Sequence, residues 1–145
     1  MNLYESIKVN KEDKKLKEVK NNEKAYIKNC DNPDAFIAIT KSVRYFSWDS
    51  DNVEKMFEKS KEIFESGKYV FFPGVKTKED LGRAYADRVG GPDKVFHYDD
   101  YLDEYSDGED LSDFDYKALG RDLIYDGYYI TRTGAVQIYQ DGIFR

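Results

Sequence analysis

The sequence predicts an α+β fold, with several short helices, a C-terminal β-hairpin and an acidic surface. Three observations carry this expectation. Apolar residues recur at near-3.6 spacing over 51–66 and 78–89. β-branched and aromatic residues crowd two short runs between 128 and 140. Between these regions, Tyr98 to Asp126 carries eleven carboxylates against Lys117 and Arg121, a net charge of −9. Aromatic and aliphatic residues alternate with those acids, which argues for folded chain rather than a solvated tail.

The elements follow in order. Residues 1–24 are lysine-rich, with Ile7, Leu16 and Val19 as a thin helical stripe. A solvated helix or frayed leader is the plain expectation, and a basic interaction arm the alternative. Ala25 to Asn29 suggests a short strand. Asp31-Asn32-Pro33 has the form of a helix start, with Pro at the first helical position. The run holding Phe36, Ile37, Ile39, Val43, Tyr45, Phe46 and Trp48 suits a buried helix or a strand, with helix favoured for its first half. Val53, Met56, Phe57, Ile63 and Phe64 line the 51–66 helix, and Gly67 stands where a left-handed cap is wanted.

Tyr69 to Phe72 predicts a short buried strand, ended by Pro73-Gly74. Thr77 and Asp80 form a capping-box start for a helix over 78–89, and Gly90-Gly91-Pro92 stops it. A further helix is expected over 94–105, with Val95, Tyr98, Leu102 and Tyr105 inward. Ser106-Asp107-Gly108 then makes a turn. Ser112 and Asp115 repeat the capping pattern before a helix over 114–126, closed by Gly127. The hairpin spans 128–140 and turns at Thr133-Gly134, with a last turn at Asp141-Gly142. No internal repeat and no low-complexity linker is visible. Two regions result: lysine-rich 1–66, and acidic 67–145.

With 145 residues the chain suffices for one domain or two small subdomains. Net charge is −6, unevenly spread: residues 1–97 sum to +2 and residues 98–145 to −8. Such a concentrated negative field repels nucleic acid and attracts a basic cleft. Cys30 is the single cysteine, so no disulfide framework or cysteine-based zinc site is expected. Met1 leads into charged residues rather than a signal sequence, and no run has the length of a membrane span. The expected compartment is cytoplasmic.

On a helix over 94–105, Asp99 and Asp103 fall on one row, as do Asp100 and Glu104, and Asp107 extends the first. Like charges at this spacing destabilise a helix by roughly 0.2–0.5 kcal/mol each. Elsewhere the chain interleaves lysines, as in EKMFEKSKE at 54–62. After Tyr98 it does not. A helix rises about 1.5 Å per residue, and duplex DNA carries one charge per roughly 1.7 Å. Acid-faced helices therefore approach the charge density of a phosphate track. An ordinary solubilising surface is the competing explanation.

Other chemistry is thin. Asp103-x-Tyr105-x-Asp107-Gly108 is a near miss to a calcium loop, because Tyr105 and Phe114 stand where ligands are needed. His97 is the only histidine and has no nucleophile pattern beside it. Cys30 has no visible catalytic partner and is read as a small packed hydrophobe. No phosphate-binding glycine loop occurs, and nothing marks a sugar cleft beside a carboxylate pair. No enzyme activity, metal or cofactor is expected.

Four segments resemble the ArdA antirestriction proteins of plasmids, conjugative transposons and phages. They are SGKYVFFPGVKTKEDLGRAYADRVG, YLDEY, FDYKALGRDLIYDGYYI and the terminal DGIFR. The resemblance runs over about residues 65–145, with Tyr101 to Tyr105 and Phe114 to Asp122 matching best. It implies an elongated, dimeric, acidic α+β protein that imitates bent DNA and fills the DNA-binding groove of a type I restriction–modification enzyme. Asp99, Asp100, Asp103, Glu104, Asp107, Glu109, Asp110, Asp113 and Asp115 then stand in for phosphates, as a collective partner-binding surface.

The expected function is inhibition of a host defence enzyme by DNA mimicry. A Cas nuclease, whose channel is also basic, is the neighbouring target. A plain interaction module docking through aromatics, or an enzyme with an acidic pocket, are the other classes. A homodimer is expected, for which the apolar hairpin residues Tyr128, Tyr129, Ile130, Val136, Ile138 and Tyr139 either cover a core or extend an interface.

Overall fold

The computed structural model describes residues 3–46, 52–103 and 111–139. The architecture is α+β. The chain divides into two compact units, Met1–Gly67 and Lys68–Arg145. Among the described residues no helix is long and apolar enough to cross a membrane.

The first unit holds three helices: α1 (Leu3–Lys28), α2 (Pro33–Phe46) and α3 (Val53–Ser66). Asn32 opens α2, its Oδ1 accepting from Ala35 N–H at 3.2 Å, and Pro33 takes the first helical position. Asn52 caps α3 in the same way through Lys55 N–H, and left-handed Gly67 ends it. Val19, Phe36 and Phe57 are buried together, with Tyr26, Ile27, Cys30, Val53 and Phe64 packed around them.

The strand expected at Ala25–Asn29 does not exist. Ala25 to Lys28 finish α1, and Asn29 just after it folds back on Ala25 O through both its backbone and side-chain nitrogens. The cause is tertiary. Tyr26 sets its ring 4.6 Å from Phe36 and within 6.4 Å of Phe57 and Phe64. Its hydroxyl donates to Glu65 at 2.8 Å. Packing of that size overrides a local strand preference. Of the expected stripe, Val19 is buried, Leu16 stays exposed, and the side chain of Ile7 lies outside the described residues.

The second unit packs two helices against a small sheet. The strands are β1 (Tyr69–Pro73), β2 (Tyr129–Thr131) and β3 (Gly134–Ile138), antiparallel in the order β1-β3-β2. Register is fixed by Phe71 opposite Val136 and Phe72 opposite Ala135. The hairpin turns at Arg132–Thr133, because Thr131 pairs with Gly134. That is one residue earlier than the sequence suggested. Gly134 opens β3 because a Cβ there would lie 2.3 Å from Phe72 O. Gln140 and the residues after it lie outside the described residues, as does the expected turn at Asp141-Gly142.

Helix α4 (Lys78–Val89) begins with a complete Thr77/Asp80 capping box. Helix α5 (Tyr116–Tyr125) begins at Asp115, whose side chain accepts from Ala118 N–H at 3.0 Å. Its start is therefore two residues later than expected from Ser112. Phe114, just outside the helix, is drawn into the core instead. That core lies between sheet and helices and includes Val70, Phe72, Leu81, Leu119, Leu123 and Tyr128.

The helix expected over 94–105 is absent. Pro92–Lys94 and Tyr98–Tyr101 form separate 3-10 turns, broken at His97 with φ +56°. The helical row Asp99–Asp103 consequently does not form, and the row Asp100–Glu104 falls partly outside the described residues. Like-charge repulsion disfavours a helix here. Val95 is buried nonetheless, and Tyr98 and Leu102 pack on the core. Tyr105 and the Ser106-Asp107-Gly108 turn lie outside the described residues.

A paired contact between α4 and α5 organises the unit. A Cβ on Gly82 would lie 2.0 Å from Tyr116 O, and one on Gly120 would lie 1.8 Å from Lys78 O. The two contacts run in opposite order, so the helices cross antiparallel. Each glycine is the fifth residue after its N-cap, Thr77 or Asp115, and each sits in a Leu-Gly-Arg triplet. The sequence thus holds a short repeat after all, at the point of closest approach. Each glycine Cα–H faces the other helix's first-turn carbonyl, a weak contact of about 0.5–1 kcal/mol.

Gly82→Ala or Gly120→Ala must push the helices apart, and each should destabilise the protein by about 3 kcal/mol or more. Gly74→Ala, at φ +75° with nothing within 4 Å, should cost only about 1–2 kcal/mol. Thermal melts of the three variants check the contrast. Equal losses would mean that the helix contact is not tight.

Candidate partner-binding surface

Two chain segments that carry sequence-predicted acids, 98–103 and 111–116, are held side by side. Asp115 N–H donates to Tyr101 O at 2.7 Å. The Tyr101 ring lies 5.5 Å from Phe114, whose ring lies 4.9 Å from Tyr116. Tyr101 OH donates to Asp122 Oδ2 at 2.7 Å, tying the first segment to α5.

Between the segments runs an open groove of about 450 Å³, lined by Asp100, Tyr101, Leu102, Asp103, Asp113, Phe114 and Asp115. The fold therefore gathers four of the nine sequence-predicted acids around one apolar floor. Asp99 lies on the same 3-10 turn as Asp100 and is exposed, as are the other four. Glu104, Asp107, Glu109 and Asp110 lie outside the described residues. The surface is made of turns rather than of acid-faced helices.

Asp122 has a different role from its neighbours. It is half-buried and accepts from Tyr101, so it braces the surface. Nothing in the periodicity distinguished it from the other carboxylates. Phe96 falls off the apolar stripe of the expected 94–105 helix, which is the sequence signal for its exposure. It is 82% exposed.

Among the described residues no three histidine, cysteine or acidic side chains are grouped to hold a metal ion. Cys30 is half-buried in the first unit. The hairpin residues Tyr128, Val136 and Ile138 are buried within the chain, whereas Tyr139 is 43% exposed.

A second groove, of about 710 Å³, belongs to the first unit. Its floor holds Val19, Tyr26 and Phe57, and its rim mixes Lys14, Lys15 and Lys61 with Glu18, Glu54 and Glu58. Lys15 pairs with Glu54 at 2.7 Å across it. The balanced rim sets no preference for a charged partner.

No protein-family model, curated protein or solved structure matches the chain.

The Tyr101 hydroxyl titrates late, its pKa pushed up to about 12 by burial, then by the hydrogen bond to Asp122 and that carboxylate's charge. The unfolded value is about 10. The contribution to stability is therefore complete below pH about 10 and is lost as pH rises through about 12. Tyr101→Phe should cost about 0.5–1.5 kcal/mol at neutral pH. It should also remove one of the late-titrating phenols from an ultraviolet titration, leaving among the described residues that of Tyr26, which burial and Glu65 likewise raise to about 12, and that of Tyr128, which burial raises further. Loss of a phenol that titrates near the ordinary value of about 10, with the late-titrating ones unchanged, would show that Tyr101 is not held by Asp122.

Proposed function

We propose that this protein is an anti-defence DNA mimic that binds the nucleic-acid cleft of a host defence enzyme and inhibits it. The first target is a type I restriction–modification complex. The observation that carries this reading is the pinned pair of segments bearing Asp99, Asp100, Asp103, Asp113 and Asp115, all exposed. In the sequence, Lys94 is the only lysine or arginine between Arg88 and Lys117. Fixed carboxylates on a folded scaffold present charge that a basic cleft can meet without first ordering a loop.

The action is one of occupancy. The protein forms no covalent bond and moves no proton; it competes with DNA for the same cations. It is proposed to work in the cytoplasm alongside its target, with no cofactor and no direct contact to nucleic acid. A Cas nuclease channel has similar electrostatics and is the second target to assay.

Collective action has a measurable signature. Exposed ion pairs contribute about 0.2–1 kcal/mol each, so Asp103→Asn alone should barely weaken inhibition. Neutralising Asp99, Asp100, Asp103, Asp113 and Asp115 together with Glu104, Asp107, Glu109 and Asp110 should abolish it. The melting temperature should hold or rise as repulsion is relieved. Affinity of the unaltered protein for the purified complex should fall steeply with salt. Complete loss at one carboxylate, with the others silent, would reject mimicry in favour of a discrete site.

The proposal includes a homodimer. Light scattering should report two chains per particle at high micromolar concentration, and a monomer there would remove that part of it.

A further inference from the structure

Val95 and Phe96 are neighbours that behave oppositely. Val95 is buried in the core between sheet and helices, while the Phe96 ring is 82% exposed. The next residue, His97, is the only non-glycine position with positive φ among the described residues, at +56°. A left-handed residue persists where the structure on both sides holds it. Here Val95 is fixed by the core, and the following 3-10 turn is fixed through Tyr101 and Asp122. The Phe96 and His97 ring centroids lie 4.0 Å apart, so the exposed ring has a neighbour to rest on.

Along the chain on either side of the ring, acidic side chains outnumber basic ones. Asp93, Asp99 and Asp100 are exposed nearby in the chain, and Lys94 lies 4.0 Å from Asp93. A complementary partner therefore has a slot for an aromatic ring within a positive surround. Enzymes that take a base out of the DNA stack have such a cleft: cations for the phosphates, and an apolar or aromatic pocket for the base.

We propose that Phe96 enters the base pocket of such an enzyme, standing where an unstacked base would stand, with the flanking aspartates in phosphate positions. This rests on the DNA-mimic function proposed above and narrows its target to base-extruding enzymes. A methyltransferase-containing restriction complex is of that class.

The test is a titration of the full-length protein against the purified restriction–modification complex at fixed salt. Phe96→Ala should weaken binding by about tenfold or more, with the salt dependence of the unaltered protein and an unchanged melting temperature. Phe96→Trp, made with Trp48→Phe so that one indole reports, should keep its affinity, and its emission should shift on binding as the indole leaves water. Undiminished binding by Phe96→Ala, or an indole emission that binding does not alter, would overturn the base-pocket proposal alone. Failure of the unaltered protein to bind would overturn it together with the proposed function.

Discussion

The second unit depends on one contact, the approach of two helix backbones at Gly82 and Gly120. Each glycine meets a carbonyl in the first turn of the other helix. Only hydrogen fits in that space. The close approach sets Leu81 and Leu119, next in sequence to the glycines, into the core that the sheet covers. It also fixes where α5 begins, and Asp115 stands at that point. The backbone of Asp115 holds Tyr101, and Tyr101 holds Asp122 about two turns further along α5. The acidic segments are thus anchored to the helix crossing.

This arrangement accommodates charge repulsion differently from a helix. Acids stacked at i,i+4 would weigh against each turn they occupy. On 3-10 turns and extended chain they are spread along two segments, and apolar groups beneath them supply the adhesion. Tyr101, Leu102 and Phe114 form the floor while Asp100, Asp103, Asp113 and Asp115 remain in water. Exposed carboxylates need no buried counterion, and of these four Asp115 also serves stability, as the N-cap of α5.

The first unit solves a different problem. Its helices carry many charges, and its core is an aromatic cluster around Phe36 and Phe57. Rings meeting edge to face hold three helices together with few side chains. Tyr26 joins that cluster and keeps its hydroxyl on Glu65 at the protein surface. Arg44 similarly reaches Glu23, linking α2 to α1.

Sequence alone determined the features written in local chemistry. The Thr77/Asp80 capping box, the Asn32-Pro33 helix start, the Gly67 cap and the hairpin each depend on residues a few positions apart, and each is legible there. The clustering of acids after Tyr98 was legible for the same reason, as composition. Tertiary structure decided the rest. Tyr26 belongs to a helix because partners ten and more residues away receive its ring. The expected 94–105 helix gives way to two 3-10 turns where Val95 is buried in the core and Tyr101 is tied to Asp122, with His97 taking up the bend. Gly82 and Gly120 resemble weak points in two helices until the helices are brought together. Asp122 looks like one more acid until Tyr101 is placed above it. In each case the deciding energy comes from residues that the chain brings together only on folding.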